Sequence, residues 1–217
     1  GFWGGAAHWA GVITALRAKG YTDLHAVENP LTSLADDAER TRKMVAQIDR
    51  PVVLVGHSYG GKVITEMGDM PNVKALVYVA AFAPDTGESA GSISAANPPA
   101  AFENIQPDSD GFLWVAPEKF RESFAQDMSD EATFVMAITQ KAPVASTFGD
   151  NVTAPAWKKK PCYYQVSLAD RMINPANQQM MADRMNPVKK IELDASHASL
   201  ASRPDEITAL IIEAAGA

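Results

Sequence analysis

Gly56-His57-Ser58-Tyr59-Gly60 places a serine hydroxyl between two glycines, directly after the apolar run Val52-Val53-Leu54-Val55. Gly-x-Ser-x-Gly alone is a weak signal, arising by chance in about one chain in fifteen of this length at ordinary residue frequencies. The context makes it informative. The preceding run reads as a strand, and Gly61-Lys62-Val63-Ile64-Thr65-Glu66-Met67 reads as a helix. A strand, a sharp turn and a helix hold a serine out at the C-terminal edge of a sheet, with helix N–H groups directed at any negative charge that develops there. Glycines remove side chains that would clash in the turn, so Ser58 is expected to stand exposed. A serine hydroxyl becomes a useful nucleophile only when a base takes its proton.

Four histidines are available: His8, His25, His57 and His197. His57 adjoins the serine, but neighbours in a sharp turn point apart. His8 falls in an early helix and His25 in a strand pattern near the sheet's edge. His197 follows the strand pattern Ile191-Glu192-Leu193-Asp194 and precedes the last helix. Loops at that edge are where open α/β sheets gather reactive groups, so His197 is the expected base. An acid must then orient the imidazole and stabilise its cation. Asp170 follows the strand Cys162–Val166 and gives the chain order serine, acid, histidine. Asp85, in Ala81-Phe82-Ala83-Pro84-Asp85, is the alternative, and Asp194 lies too near His197 along the chain to reach round.

These residues need a scaffold. Strand patterns over Leu24–Val27, Pro51–Val55, Ala75–Ala80, Cys162–Val166 and Lys190–Leu193 alternate with helical patterns over Ala6–Lys19 and Leu34–Ile48 and with helix starts at Pro175 and Pro204. That alternation predicts one α/β domain over 1–217, with a mostly parallel central sheet flanked by helices. The middle strands are apolar throughout, as strands covered on both faces should be. Ser33 is a good helix N-cap, and the acids and bases that follow it match the helix dipole. Residues 84–160 break the rhythm. With no sheet strand and two helical patterns, Pro117–Asp127 and Ser129–Lys141, they read as a small helical cap inserted between strands.

The composition excludes several classes. The 217 residues carry a formal charge of −7, which argues against a nucleic-acid surface. The one basic cluster, Lys158-Lys159-Lys160, reads as a solvated lead-in to a strand. The single cysteine, Cys162, allows no internal disulfide and reads as a small buried hydrophobe. No run approaches the length of a membrane span, and no secretory signal opens the chain, so the expectation is a cytoplasmic protein with no membrane partner. No metal-ligand spacing or phosphate loop implies a cofactor or metal.

The turn motif, Asn29-Pro30-Leu31-Thr32-Ser33-Leu34-Ala35-Asp36-Asp37, Phe82-Ala83-Pro84-Asp85-Thr86-Gly87-Glu88-Ser89, Ala156-Trp157-Lys158, Asp170-Arg171-Met172-Ile173-Asn174-Pro175 and Asp194-Ala195-Ser196-His197 together resemble bacterial α/β-hydrolases related to the plant methylesterase and hydroxynitrile lyase group. The likeness covers nearly the whole chain. It implies the triad Ser58, Asp170 and His197. It also implies an oxyanion hole from the backbone N–H groups of Phe2 and Tyr59, with Gly1 as the glycine of a His-Gly strand end. On that basis a further strand, ending in histidine, is expected to precede Gly1 in the natural protein. The cap aromatics are expected to shape an apolar pocket over Ser58, with Trp114, Phe120, Phe124 and Trp157 as candidate substrate contacts; any one of them could equally serve packing. The expected activity is cofactor-free hydrolysis of small, fairly apolar carboxylic esters through an acyl-enzyme on Ser58. Two rivals are a lyase using the same triad and a ligand receptor on the same scaffold. Against the lyase, the hydroxynitrile lyases of the plant group place a lysine after the catalytic histidine, where this chain has Ala198.

Overall fold

The computed structural model describes residues 1–216. Its strands are β1 (Val52–His57), β2 (Val73–Val79), β3 (Ile105–Pro107), β4 (Leu113–Val115), β5 (Cys162–Ser167) and β6 (Lys189–Leu193). Its α-helices are α1 (Ala10–Ala18), α2 (Leu34–Val45), α3 (Tyr59–Met67), α4 (Ala90–Ala96), α5 (Phe120–Phe124), α6 (Asp130–Ile138), α7 (Pro175–Met185), α8 (Ser199–Ser202) and α9 (Pro204–Gly216). The main sheet runs β1-β2-β5-β6, all parallel. Every C-terminal strand end therefore meets one edge, which brings the loops after β1, β5 and β6 together.

Alternation along β2 divides the core. Leu76 and Tyr78 pack with α3, α7 and the cap, whereas Ala75, Val77 and Val79 pack against α1 and α9. All five are at most 1 % exposed, which explains why β2 reads as an unbroken apolar run. β5 is buried along its full length, including Cys162, whose thiol burial pushes up to about 12.

Three sequence expectations are corrected here. Leu24–Val27 pairs with no described strand; His25 and Ala26 are exposed, and strand-forming residues without a ladder partner remain a connection. The helical pattern over Ala6–Lys19 divides into a 3₁₀ turn, Ala6–Trp9, and α1, and the pattern over Leu34–Ile48 stops at Val45, where the Asn72 side-chain amide donates to the carbonyls of Val45 and Ile48. The three lysines lead into β5 as expected, with Lys158 and Lys159 exposed. Lys158 pairs with Asp85, Lys159 with Asp69, and Lys160 donates to the carbonyls of Met70 and Val73.

Within 84–160 the cap holds more than the two expected helices. α4 begins with a reciprocal Ser89/Ser92 capping box, and β3 and β4 form a separate antiparallel ribbon. The Pro117–Asp127 pattern is a 3₁₀ turn, Pro117–Lys119, followed by the short α5. Backbone bonds from Trp3 to Lys141 and from Val144 to Leu31 tie the cap to the body. Among the described residues no helix is long and apolar enough to cross a membrane.

Candidate active site

The turn after β1 takes a conformation that most side chains avoid. Ser58 sits at φ 56° and ψ −127°, a strained setting that costs about 1–3 kcal/mol. A Cβ at Gly56 would lie 2.6 Å from the carbonyl carbon of Gly60, so the turn closes only around glycine. The backbone is otherwise satisfied: Ser58 N–H donates to Val79, and its carbonyl accepts from Gly61 and Phe82. The surrounding fold thus holds the strained residue in place. Contrary to expectation, Ser58 is only 3 % exposed, with the Gly1 backbone packed against its Cβ.

His197, in the loop after β6, donates from Nδ1 to Asp170 Oδ2 at 2.7 Å, with both side chains fully buried. Asp170 also accepts from the N–H groups of Met172 (2.8 Å) and Ile173 (2.9 Å) and from Gln178 Nε2 (2.7 Å). These bonds fix the plane of the carboxylate. Gln178, which the sequence reading missed, also accepts from Ser167 N–H and so locks the acid loop to the end of β5. The Nδ1 donation leaves His197 Nε2 as the basic nitrogen, and this buried atom has no hydrogen-bond partner among the described residues. Ser58 Oγ makes no hydrogen bond among them either.

His57 has a different task. Its Nε2 donates to the His197 carbonyl at 2.7 Å, and the two rings lie 4.7 Å apart. Burial first, then the neighbouring His197, hold His57 well below its ordinary value, so it stays neutral. His8 is held down to about 4, chiefly by burial, and stands edge-on to Phe124. His25 lies elsewhere, exposed beside Asp23. Asp85 meets Lys158 and the Thr86 N–H rather than a histidine.

Phe2 and Tyr59 flank the serine. A Cβ on Gly1 would lie 2.8 Å from Ser58 Cβ, so the backbone there passes close against the nucleophile. The rings of Phe2 and Tyr59 stack at 4.0 Å. Neither residue's amide N–H is consumed by a hydrogen bond among the described residues.

Of the candidate substrate contacts, Phe124 alone reaches the triad, its ring edge-on to His197 at 4.8 Å; Phe120 stacks behind it at 5.0 Å. Trp114 is 40 % exposed on the β3–β4 ribbon, where its indole N–H donates to Asp108. The Trp157 indole donates to the Pro84 carbonyl, and its ring packs under Lys158 and Arg184. A cavity of about 600 Å³ lies at the opposite end of β1, lined by Asp23, His25, Arg40, Met44 and Arg50, and contains none of the triad.

The cap segment 122–127 also binds both catalytic loops. The Glu122 carbonyl accepts from Arg171, and Gln126 donates to the Ala169 carbonyl on the acid side. The Phe124 carbonyl accepts from Ala198 N–H, and Asp127 Oδ2 accepts from Ser196 N–H and Ser202 Oγ on the base side. Among the described residues no three His, Cys, Asp or Glu side chains converge as metal ligands.

A parallel sheet with a strained serine elbow and a buried Asp–His pair at one edge defines a class, and the chain belongs to the alpha/beta hydrolase family, whose model matches residues 1–210. Among curated relatives it is 24 % identical to the probable hydrolase R7 of Phoma sp., over 96 % of this chain and 92 % of that one. A pyrethroid hydrolase from Sphingobium faniae superposes with a TM-score of 0.82 at 23 % identity, covering 98 % of this chain and 93 % of that one. The methylesterase MES16 from Arabidopsis superposes with a TM-score of 0.78 at 19 % identity, covering 100 % and 96 %.

Proposed function

We propose that the chain is a serine hydrolase acting on small, fairly apolar carboxylic esters without a cofactor. One observation carries this reading: a buried Asp170–His197 pair leaves a bare Nε2 at the edge where a strained Ser58 sits between two unused amides. Ser58 Oγ attacks the ester carbonyl while His197 Nε2 takes its proton, and Asp170 stabilises the imidazolium. The N–H groups of Phe2 and Tyr59 hold the tetrahedral oxyanion. Collapse expels the alcohol, protonated by His197, and leaves an acyl group on Ser58. Water then attacks with His197 again as base, releasing the acid. Phe124 and the apolar cap favour an acyl group of modest size, and the esterase and hydrolase names among the relatives support the class of bond. The lyase reading gains nothing from the site, because position 198 is a fully buried alanine without a cation.

A series of p-nitrophenyl esters of graded acyl length, assayed with wild type and Ser58→Ala, tests the reading. The variant should lose on the order of 10⁶ in kcat while remaining folded. Turnover by Ser58→Ala within about tenfold of wild type would sink the assignment.

A further inference from the structure

Asp37 is read in the sequence only as an acid that suits the start of α2. In the fold it points inward and is 0 % exposed. Its Oδ2 accepts from the Tyr59 phenol at 2.7 Å, and its Oδ1 accepts from Leu31 N–H at 2.8 Å, with Leu31 in the left-handed region at φ 63°. The Tyr59 ring stacks on Phe2, and Phe2 lies 4.8 Å from Phe148 on the cap. Lys62 Nζ stands 5.5 Å from the Tyr59 ring centroid. The carboxylate thus fixes the phenol, the phenol fixes its ring, and that ring is packed against Phe2. Tyr59 and Phe2 are the two residues whose amides flank Ser58.

We propose that Asp37 is a positioning residue for the oxyanion hole: through the Tyr59 phenol and the stacked Phe2 ring it sets where the two amides point. The proposal rests on the serine-hydrolase reading above. Oxyanion donors act only when aimed at the place the charged oxygen will occupy, and a misplacement of about 1 Å can cost about 10²-fold in rate. A purely structural role accounts for this carboxylate poorly. Burial raises its carboxyl above the ordinary value while the bonds from Tyr59 and Leu31 pull it back, so the charge itself is held at a cost to the fold. Tyr59 and Asp37 are 22 positions apart, and the hydrogen bond between them ties α2 to the elbow.

The test uses a p-nitrophenyl alkylphosphonate, which needs no knowledge of the natural substrate. Ser58 Oγ bonds to phosphorus, p-nitrophenolate departs with the electron pair of its bond, the serine proton passes to His197, and the phosphoryl oxygen occupies the oxyanion hole. Release of p-nitrophenolate gives the rate, and intact mass with peptide mapping places the adduct. Tyr59→Phe and Asp37→Asn should each phosphonylate about 10- to 100-fold more slowly than wild type. With p-nitrophenyl acetate, kcat should fall by a similar factor while KM stays within about twofold. The double variant should be no more than about threefold slower than the slower single, because both act through one link. Melting of Asp37→Asn should lie within about 3 °C of wild type; if it fails to fold, Tyr59→Phe alone decides. Variants that phosphonylate within about twofold of wild type, or multiply their defects when combined, overturn the clamp but leave the hydrolase reading standing. A wild type with no adduct on Ser58 overturns both.

Discussion

The two halves of the site are held in place by different physics. On the side of the proposed oxyanion hole, Phe2 and Tyr59 are fixed by stacked rings and a fully buried carboxylate, Asp37, as part of the core itself. On the base side, the loops carrying Asp170 and His197 are fastened by polar bonds from cap residues 122–127, including the exposed Asp127. The signs of the two carboxylates are opposite. Asp37 is raised, chiefly by burial, so the cost of its charge is present above its folded value and is relieved as pH falls through it. For Asp127, burial pushes up but the hydrogen bonds from Ser196 and Ser202 more than offset it, so it lies below its ordinary value. Its stabilisation is therefore present above the ordinary carboxylate range and is lost as pH falls through the lowered value. Acid should loosen the base side while easing the strain of the other. A hydrolase site can thus combine a rigid electrostatic half with a half that follows its cap.

Five substitutions press on that contrast, the largest expected effect first. Asp170→Asn keeps the shape but favours the wrong imidazole tautomer, and kcat on one activated ester should fall by about 10⁴, as in the serine-protease precedent. Asp85→Asn, which severs only the tie to Lys158, should lose about tenfold or less in the same assay. If the two results are reversed, the acid on the base side has been misassigned. Asp127→Ala cuts the bond to the residue before His197, so kcat should drop about 10- to 100-fold with KM little changed. Repeating the assay at a series of falling pH values checks the sign, because wild type should drift toward the variant as acid protonates Asp127. A constant ratio between the two across the acid range would count against the cap's part in holding the base. Phe124→Ala should shift the acyl-length profile by up to about 1–3 kcal/mol per methylene. Trp114→Ala, on the exposed ribbon, should leave that profile unchanged and stability within about 0.5 kcal/mol. Equal effects from these two aromatics would undo the distinction drawn between them.

The sequence made the sheet and the chemistry readable where the signal was local. The elbow is a contiguous strand, turn and helix, and Asp170 and His197 each follow a strand pattern within a few residues. What it hid were partners brought together from far along the chain. Gln178 reaches Asp170, Asp127 reaches Ser196, and Asp37 reaches Tyr59. Nothing about a glutamine or an aspartate on a helix announces which way it will face, and Asp37 also satisfied a simpler rule about helix starts. The aromatics divide on a related ground. Periodicity placed Phe120 and Phe124 on one face, but the side on which Trp114 lands depends on the ribbon, which no local pattern marked. The strand misread at Leu24–Val27 shows the converse, since composition cannot supply a partner.

The hydrogen bond from Ala198 N–H to the Phe124 carbonyl has a consequence for how such a protein can change over generations. Phe124, whose ring meets His197 from the cap, and Ala198, the next residue after that histidine, share one backbone link. An insertion or deletion between 120 and 127 that enlarges the space for substrate therefore also re-aims His197. The β3–β4 ribbon makes no such bond to the Asp170 or His197 loop among the described residues; its ties include those from the Leu113 carbonyl to the Trp3 indole and from Val115 to Gln140. New specificities should arise at Phe120 and Phe124 by exchange of side chains, with the number of residues in that short stretch held constant.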